Sequence, residues 1–252
     1  MRFASLGSGS RGNALVIEQG KTRVLIDCGF GPRQMATRLA QLNLVPDDIH
    51  AVVLTHEHRD HVAGIGPCVR RYGWKVFLTH GTQSAVGMAA ADICVIDSHT
   101  SFSLGDIEIT PFLVPHDARE PVQFVFGDGV RRLGLLTDAG HVTPHIREVL
   151  SGCDALVLEC NHDADLLANG SYPAMLKKRI AGRLGHLDNQ AAAALLAGIT
   201  RDRLQHVIAA HLSQENNTPD LARWALAGAL DCGLDWIGIA GQETGFDWRQ
   251  IR

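Results

Sequence analysis

A buried strand that runs straight into a turn crowded with imidazoles dictates where that turn must sit, and this chain has one at residues 51–61. The apolar run Ala51-Val52-Val53-Leu54 leads into Thr55-His56-Glu57-His58-Arg59-Asp60-His61, which sets four metal-ligand side chains in six positions. Such a run reads as a strand covered on both faces, and open α/β folds keep their sites at the sheet edge where these strands finish. Imidazole nitrogen with carboxylate oxygen suits zinc, manganese or iron, and the lack of thiolate argues against a closed structural zinc site. Four ligands are too many for one metal that keeps a position open for water, so the cluster by itself suggests two metals. A polar surface turn is the plain alternative, and the density of ligand side chains counts against it.

The 252 residues are enough for one large α/β domain or two small ones. One domain over 1–252 is expected. No run of about 18 apolar residues occurs and the first residues lack a signal-peptide stretch, so we expect a cytoplasmic protein with no membrane partner. Six cysteines at 28, 68, 94, 153, 160 and 232 form no CxxC pair and read as reduced, buried thiols. A net charge of −4 means that any polyanion must be gripped locally. The one basic stretch, Lys177-Lys178-Arg179 with Arg183, reads on charge alone as a solvated helix face.

Apolar runs predict strands at 14–18, 23–27, 51–54, 75–78, 107–112, 122–126, 132–137, 155–159, 206–209 and 236–239. Helical patterns fall at 32–42, 61–72, 82–91, 143–150, 172–181, 189–197 and 218–229. Several strands end in a polar group: Asp27, the histidine cluster, Thr137-Asp138, Glu159-Cys160-Asn161-His162 and Ala210-His211. The layout suggests two βα halves, roughly 1–115 and 116–252, facing each other across a shared cleft.

These residues closely resemble the metallo-β-lactamase-like hydrolases, and within them the YycJ (WalJ) group. The likeness runs through Ser5-Leu6-Gly7-Ser8-Gly9-Ser10-Arg11-Gly12-Asn13, Leu25-Ile26-Asp27-Cys28-Gly29, Pro115-His116-Asp117-Ala118, Gly170-Ser171-Tyr172-Pro173, Gly185-His186-Leu187 and His211-Leu212-Ser213-Gln214-Glu215-Asn216. Three positions depart from the pattern: Arg59 where Ser is usual, Ala139 where Thr is usual, and Asp188 where Ser commonly follows. None is an implied ligand, and Asp188 bears on the grip on substrate.

The resemblance implies a four-layer αβ/βα sandwich of two mixed sheets flanked by helices, holding two divalent ions, zinc or manganese or else iron. It makes His56, His58 and His116 ligands of one ion, Asp60, His61 and His211 ligands of the other, and Asp138 the bridge. Asp27 would accept a ligand imidazole N–H from beneath, its plain reading being a strand-end turn. His186 resembles the proton donor to the leaving oxygen in phosphodiesterase members, Glu159 the carboxylate that orients it, and Asp60 joins them as a catalytic group; a helix cap is the alternative for His186. Ser8, Ser10 and Asn13 of the Gly-rich loop, His162, Lys178 and Arg179 are the candidate substrate contacts, although a plain hairpin would account for the loop.

The implied reaction is hydrolysis in which a hydroxide shared by the metals attacks phosphorus and His186 protonates the departing oxygen. The ligand set leaves the substrate open. The group implies a DNA exonuclease working 5′ to 3′, with nucleic acid as partner and the oligomeric state open. Only 47 residues separate Asp138 from His186, too few for a further RNA-clamping domain. The alternatives are a phosphodiesterase for small cyclic diesters and a regulatory partner of a cell-envelope signalling system.

Overall fold

The computed structural model describes residues 1–88 and 92–252. The first sheet consists of β1 (Arg2–Gly7), β2 (Ala14–Gln19), β3 (Thr22–Ile26), β4 (Ala51–Val53), β5 (Lys75–Thr79), β6 (Ile93–Ile96) and β14 (Phe246–Gln250), in the order β14-β1-β2-β3-β4-β5-β6. The second consists of β7 (Phe102–Leu104), β8 (Ile107–Leu113), β9 (Val122–Gly127), β10 (Arg132–Leu136), β11 (Ala155–Glu159), β12 (His206–Ala210) and β13 (Ile237–Ile239), in the order β13-β12-β11-β10-β9-β8-β7. Both sheets are mixed: β14-β1-β2-β3 and β7 to β10 pair antiparallel, whereas β3 to β6 and β10 to β13 pair parallel.

Phe3, Ile17, Val24 and Val53 of the first sheet meet Ile109, Phe124, Leu133, Val157 and Ile208 of the second in one buried cluster. Helices α1 (Pro32–Gln41) and α3 (Ile65–Tyr72) cover the outer face of the first sheet through Met35, Leu39, Cys68 and Val69. Helices α5 (Pro144–Leu150), α8 (Asn189–Ala197) and α9 (Pro219–Leu230) cover the other through Ile146, Leu195 and Leu226. The result is a four-layer sandwich, and the apolar runs become strands because both faces of each central strand are covered.

The two halves interlock instead of dividing at residue 115. The chain changes sheet between β6 and β7, and β14 returns to pair with β1 in the register Arg2↔Gln250. Behind this strand Ser8 N donates to Gly241 O at 3.1 Å, tying the first loop to the last turn.

Four strands (β1, β6, β7 and β14) and the helix α6 (Ala164–Asn169) were not expected from the pattern. The predicted helix at 82–91 is α4 (His80–Val86), started by the Thr79 side chain accepting from Thr82 N, and positions 89–91 lie outside the described residues. The predicted helix at 61–72 is broken into α2 (Arg59–Val62) and α3. The break is at Gly64, whose N–H donates to Cys28 O at 2.8 Å and where a Cβ would stand 1.8 Å from Phe30 O. Gly64→Ala is therefore expected to cost about 3 kcal/mol or more of unfolding free energy in urea titration, because backbone must move; a loss under about 0.5 kcal/mol would show that the loop yields freely.

Candidate metal centre and cleft

Strand ends at one edge of the sandwich deliver the polar groups: Asp27 follows β3, the cluster follows β4, His116 follows β8, Asp138 follows β10, Glu159 closes β11 and His211 follows β12. Asp27, Asp138 and His211 have φ of 61°, 53° and 54°, in the left-handed region. That conformation costs a non-glycine residue about 1–2 kcal/mol, so three of them at one site mark bends that the surroundings enforce. Enforcement is visible: Asp27 Oδ1 accepts Thr55 N–H at 2.9 Å, and Ser8 Oγ accepts His211 N–H at 2.9 Å.

Tautomers follow from the partners. Thr55 Oγ1 donates to Asp27 at 3.0 Å and lies 2.9 Å from His56 Nδ1, so it accepts that N–H and leaves Nε2 bare. His116 Nδ1 donates to Gly185 O at 3.0 Å, and His58 Nε2 to Asp117 O at 3.3 Å. The remaining nitrogens, His116 Nε2 and His58 Nδ1, are 3.1 Å apart, and buried His56 Nε2 has no hydrogen-bond partner. Three bare nitrogens within 4.8 Å of one another repel unless a cation lies between them.

The second cluster gathers Asp60, His61 and His211. Asp27 Oδ2 holds His61 Nδ1 at 2.7 Å, turning Nε2 to within 3.2 Å of both Asp60 Oδ2 and Asp138 Oδ2. His211 Nε2 lies 3.3 Å from Asp60 Oδ2. Asp138 stands between the clusters, its Oδ1 3.8 Å from His116 Nε2 and its buried Oδ2 without a hydrogen-bond partner. These nitrogen and oxygen donors suit a dinuclear metal site, and the orphaned His56 and Asp138 atoms are the ones that such ions would satisfy.

The buried charges answer one another across the site. Burial favours a neutral Asp138, but the His211 and His61 imidazoles outweigh it and hold the carboxyl well below its usual range. Burial likewise opposes a proton on His211, yet Asp138, Asp60 and Glu159 raise it to about 10. For His56, burial together with the neighbouring imidazoles keeps the ring neutral. Glu159 is buried too, and the His186 ring brings it down to about 2.

Beside the clusters lies a cleft of about 320 Å³. His186 faces it, with Nδ1 on Glu159 Oε1 at 2.9 Å; the same oxygen is 3.0 Å from His211 Nδ1. Ser10 and Arg179 also line it. Four expected substrate contacts are placed elsewhere. The Ser8 hydroxyl oxygen accepts from His211 N–H. Asn13 is buried, bonding Gly9 and, from Nδ2, Asp60 Oδ2 at 3.1 Å. His162 is buried outside the cleft lining, with its carbonyl accepting from Asn189 N. Lys178 sits on helix α7 (Ala174–Ile180), where Leu176, Arg179 and Ile180 share the cleft face at helical spacing and residue 178 does not.

Asp188 caps α8 by accepting from Ala191 N at 2.7 Å, a task that Ser performs equally well, so its presence bears on the helix and not on substrate. Thr55, Asp117 and the cleft residues Arg59, Tyr172 and Ser213 were not singled out as site groups, whereas Asn161, beside His162 at a strand end, does line the cleft. Asp117 and Tyr172 stood inside motifs already noted; Thr55 could have been found as the residue between a strand and its first histidine.

Among the described residues no helix is long and apolar enough to cross a membrane. Residues 22–211 match the model of the β-lactamase superfamily domain. The chain is 35% identical to the exodeoxyribonuclease YycJ of Bacillus anthracis over 92% of its own length and 89% of that protein's. It is 32% identical to the exodeoxyribonuclease WalJ of Streptococcus pneumoniae, covering 91% and 88%. The solved metallo-β-lactamase-fold protein YhfI from Bacillus subtilis superposes with a TM-score of 0.76 at 16% identity, covering 98% of each chain. The chain therefore belongs to the metallo-β-lactamase superfamily of metal-dependent hydrolases, within its YycJ/WalJ group.

Proposed function

We propose that this hydrolase cleaves phosphodiester bonds of DNA, releasing nucleotides from the 5′ end. The observation that carries this reading is the His186–Glu159 pair, a hydrogen-bonded proton donor opening on a cleft beside two ligand clusters. The relatives named as exodeoxyribonucleases support it.

The clusters would hold two ions, zinc or manganese being the natural choices for nitrogen and oxygen donors. When bound, such ions lower the pKa of a water towards about 7 and stabilise charge building on phosphorus. The rest is done by the chain. Asp138 spans both clusters and fixes their spacing, while Asp27, Thr55 and Gly185 O hold imidazoles in the tautomer that presents a lone pair. Asp60 faces the same point; burial opposes its charge, but His61 and His211 hold the carboxyl well below its usual range, so it orients the attacking water as an acceptor. His186 donates from Nε2 to the departing oxygen, and Glu159 on Nδ1 keeps that imidazole charged until then. Ser10 and Arg179 contact the phosphate chain along the cleft. We read residues 1–252 as one domain working in the cytoplasm, where the six free thiols stay reduced.

The test is manganese-loaded protein, with Asp138→Asn as control, on 5′-phosphorylated, 3′-labelled DNA. The expected result is mononucleotide release from the 5′ end by the wild type alone. Cleavage of a small cyclic diester without any release from DNA would instead make this a small-molecule phosphodiesterase.

A further inference from the structure

We propose that Arg59 binds the phosphate next to the scissile one, so that the enzyme selects a chain substrate carrying at least two phosphates. The inference rests on the phosphodiester reading and deepens it.

Arg59 lies between two candidate ligands, His58 and Asp60, yet it is exposed and lines the cleft. Helix geometry explains this: successive side chains on α2 diverge by about 100°, so Asp60 and His61 turn inward while Arg59 points out along the rim. Its guanidinium has no hydrogen bond or ion pair among the described residues. The carboxylates nearest in the chain are engaged elsewhere: Glu57 Oε1 accepts Arg119 N at 2.8 Å, and Asp60 Oδ2 faces His61 and His211. Arg179, the other cleft arginine, differs, because its Nε is held by Asp117 Oδ2 at 2.7 Å.

The scissile group belongs at the clusters, where the ions would neutralise it. Arg59 stands outside that point, with a planar donor fork that matches a phosphate and no carboxylate to satisfy it. A nucleic-acid strand leaving the metal centre along the cleft would bring its next phosphate to this rim. A cyclic mononucleotide or an aryl diester has only one phosphate and nothing to offer Arg59.

The experiment compares wild type, Arg59→Ala and Arg59→Lys on a 5′-phosphorylated oligodeoxynucleotide and on the 4-nitrophenyl ester of thymidine 5′-phosphate, which carries one phosphate. Arg59→Ala is expected to lower kcat/KM on the oligonucleotide roughly ten- to hundredfold, through KM, as loss of a charged hydrogen bond does. The loss on the ester should be at least about tenfold smaller, and the salt slope on the oligonucleotide should fall by about one. Arg59→Lys, keeping the charge without the fork, should recover part of the loss. Equal losses on both substrates, or none on either, would overturn the assignment. Wild type that releases nothing from DNA would remove the nuclease reading and this inference together; wild type that degrades DNA no faster than Arg59→Ala removes the inference alone.

Discussion

Asp138→Asn is expected to leave a folded protein that holds neither metal tightly and hydrolyses phosphodiesters about 10³-fold more slowly or worse. Its carboxylate reaches both clusters, 3.2 Å from His61 Nε2 on one side and 3.8 Å from His116 Nε2 on the other. The amide matches it in size and takes the same left-handed backbone at φ 53°, since Asn tolerates that region as Asp does. What changes is the charge, and a neutral amide with its single oxygen holds two cations far less tightly than a carboxylate. Metal analysis after dialysis, with circular dichroism to show that the fold is kept, checks the result. Full metal content in the variant would mean that Asp138 does not bridge.

His186→Ala should behave in the opposite way, retaining its metals while turnover falls by about 10² to 10⁴. The ring meets the charged groups of the centre through Nδ1, which is spent on Glu159 at 2.9 Å and stands 3.5 Å from Asp138 Oδ1. The loss should shrink on esters with an acidic leaving group such as 4-nitrophenolate, which departs without being protonated, and that contrast separates proton donation from mere support. If His186→Ala lost a metal instead, His186 and not His211 would be the closing ligand.

The grouping of the candidate ligands was legible in the sequence because such side chains cluster by type and by position after apolar runs. His56, His58, Asp60, His61, His116, Asp138 and His211 converge, and His186 meets Glu159 as the motif implied. The central strands were legible for the same reason, both faces being buried. The pattern failed where burial is partial: β6, β7 and β14 are half exposed, β7 and β14 carry no continuous apolar run, β6 has one of only four residues (Ile93-Cys94-Val95-Ile96) that was passed over, and β1 is built partly from small residues such as Ala4, Ser5 and Gly7. It failed also for the direction of small polar side chains. Ser8, Ser10 and Asn13 share one loop, yet only Ser10 reaches the cleft, because the His211 backbone and Asp60 claim the other two. Nothing local in a Gly-Ser turn encodes which hydroxyl a strand two hundred residues away will take.

The pairing of residues 2 and 250 joins the two most remote segments of the first sheet. Joining such remote segments costs chain entropy of about 5 kcal/mol, so β14 is expected to dock after the rest of its sheet. The same event brings Gly241 to Ser8, the residue that bends His211 into position. The bend at His211 is thus tied, through Ser8, to the contact between the two segments of the sheet that lie farthest apart in the chain.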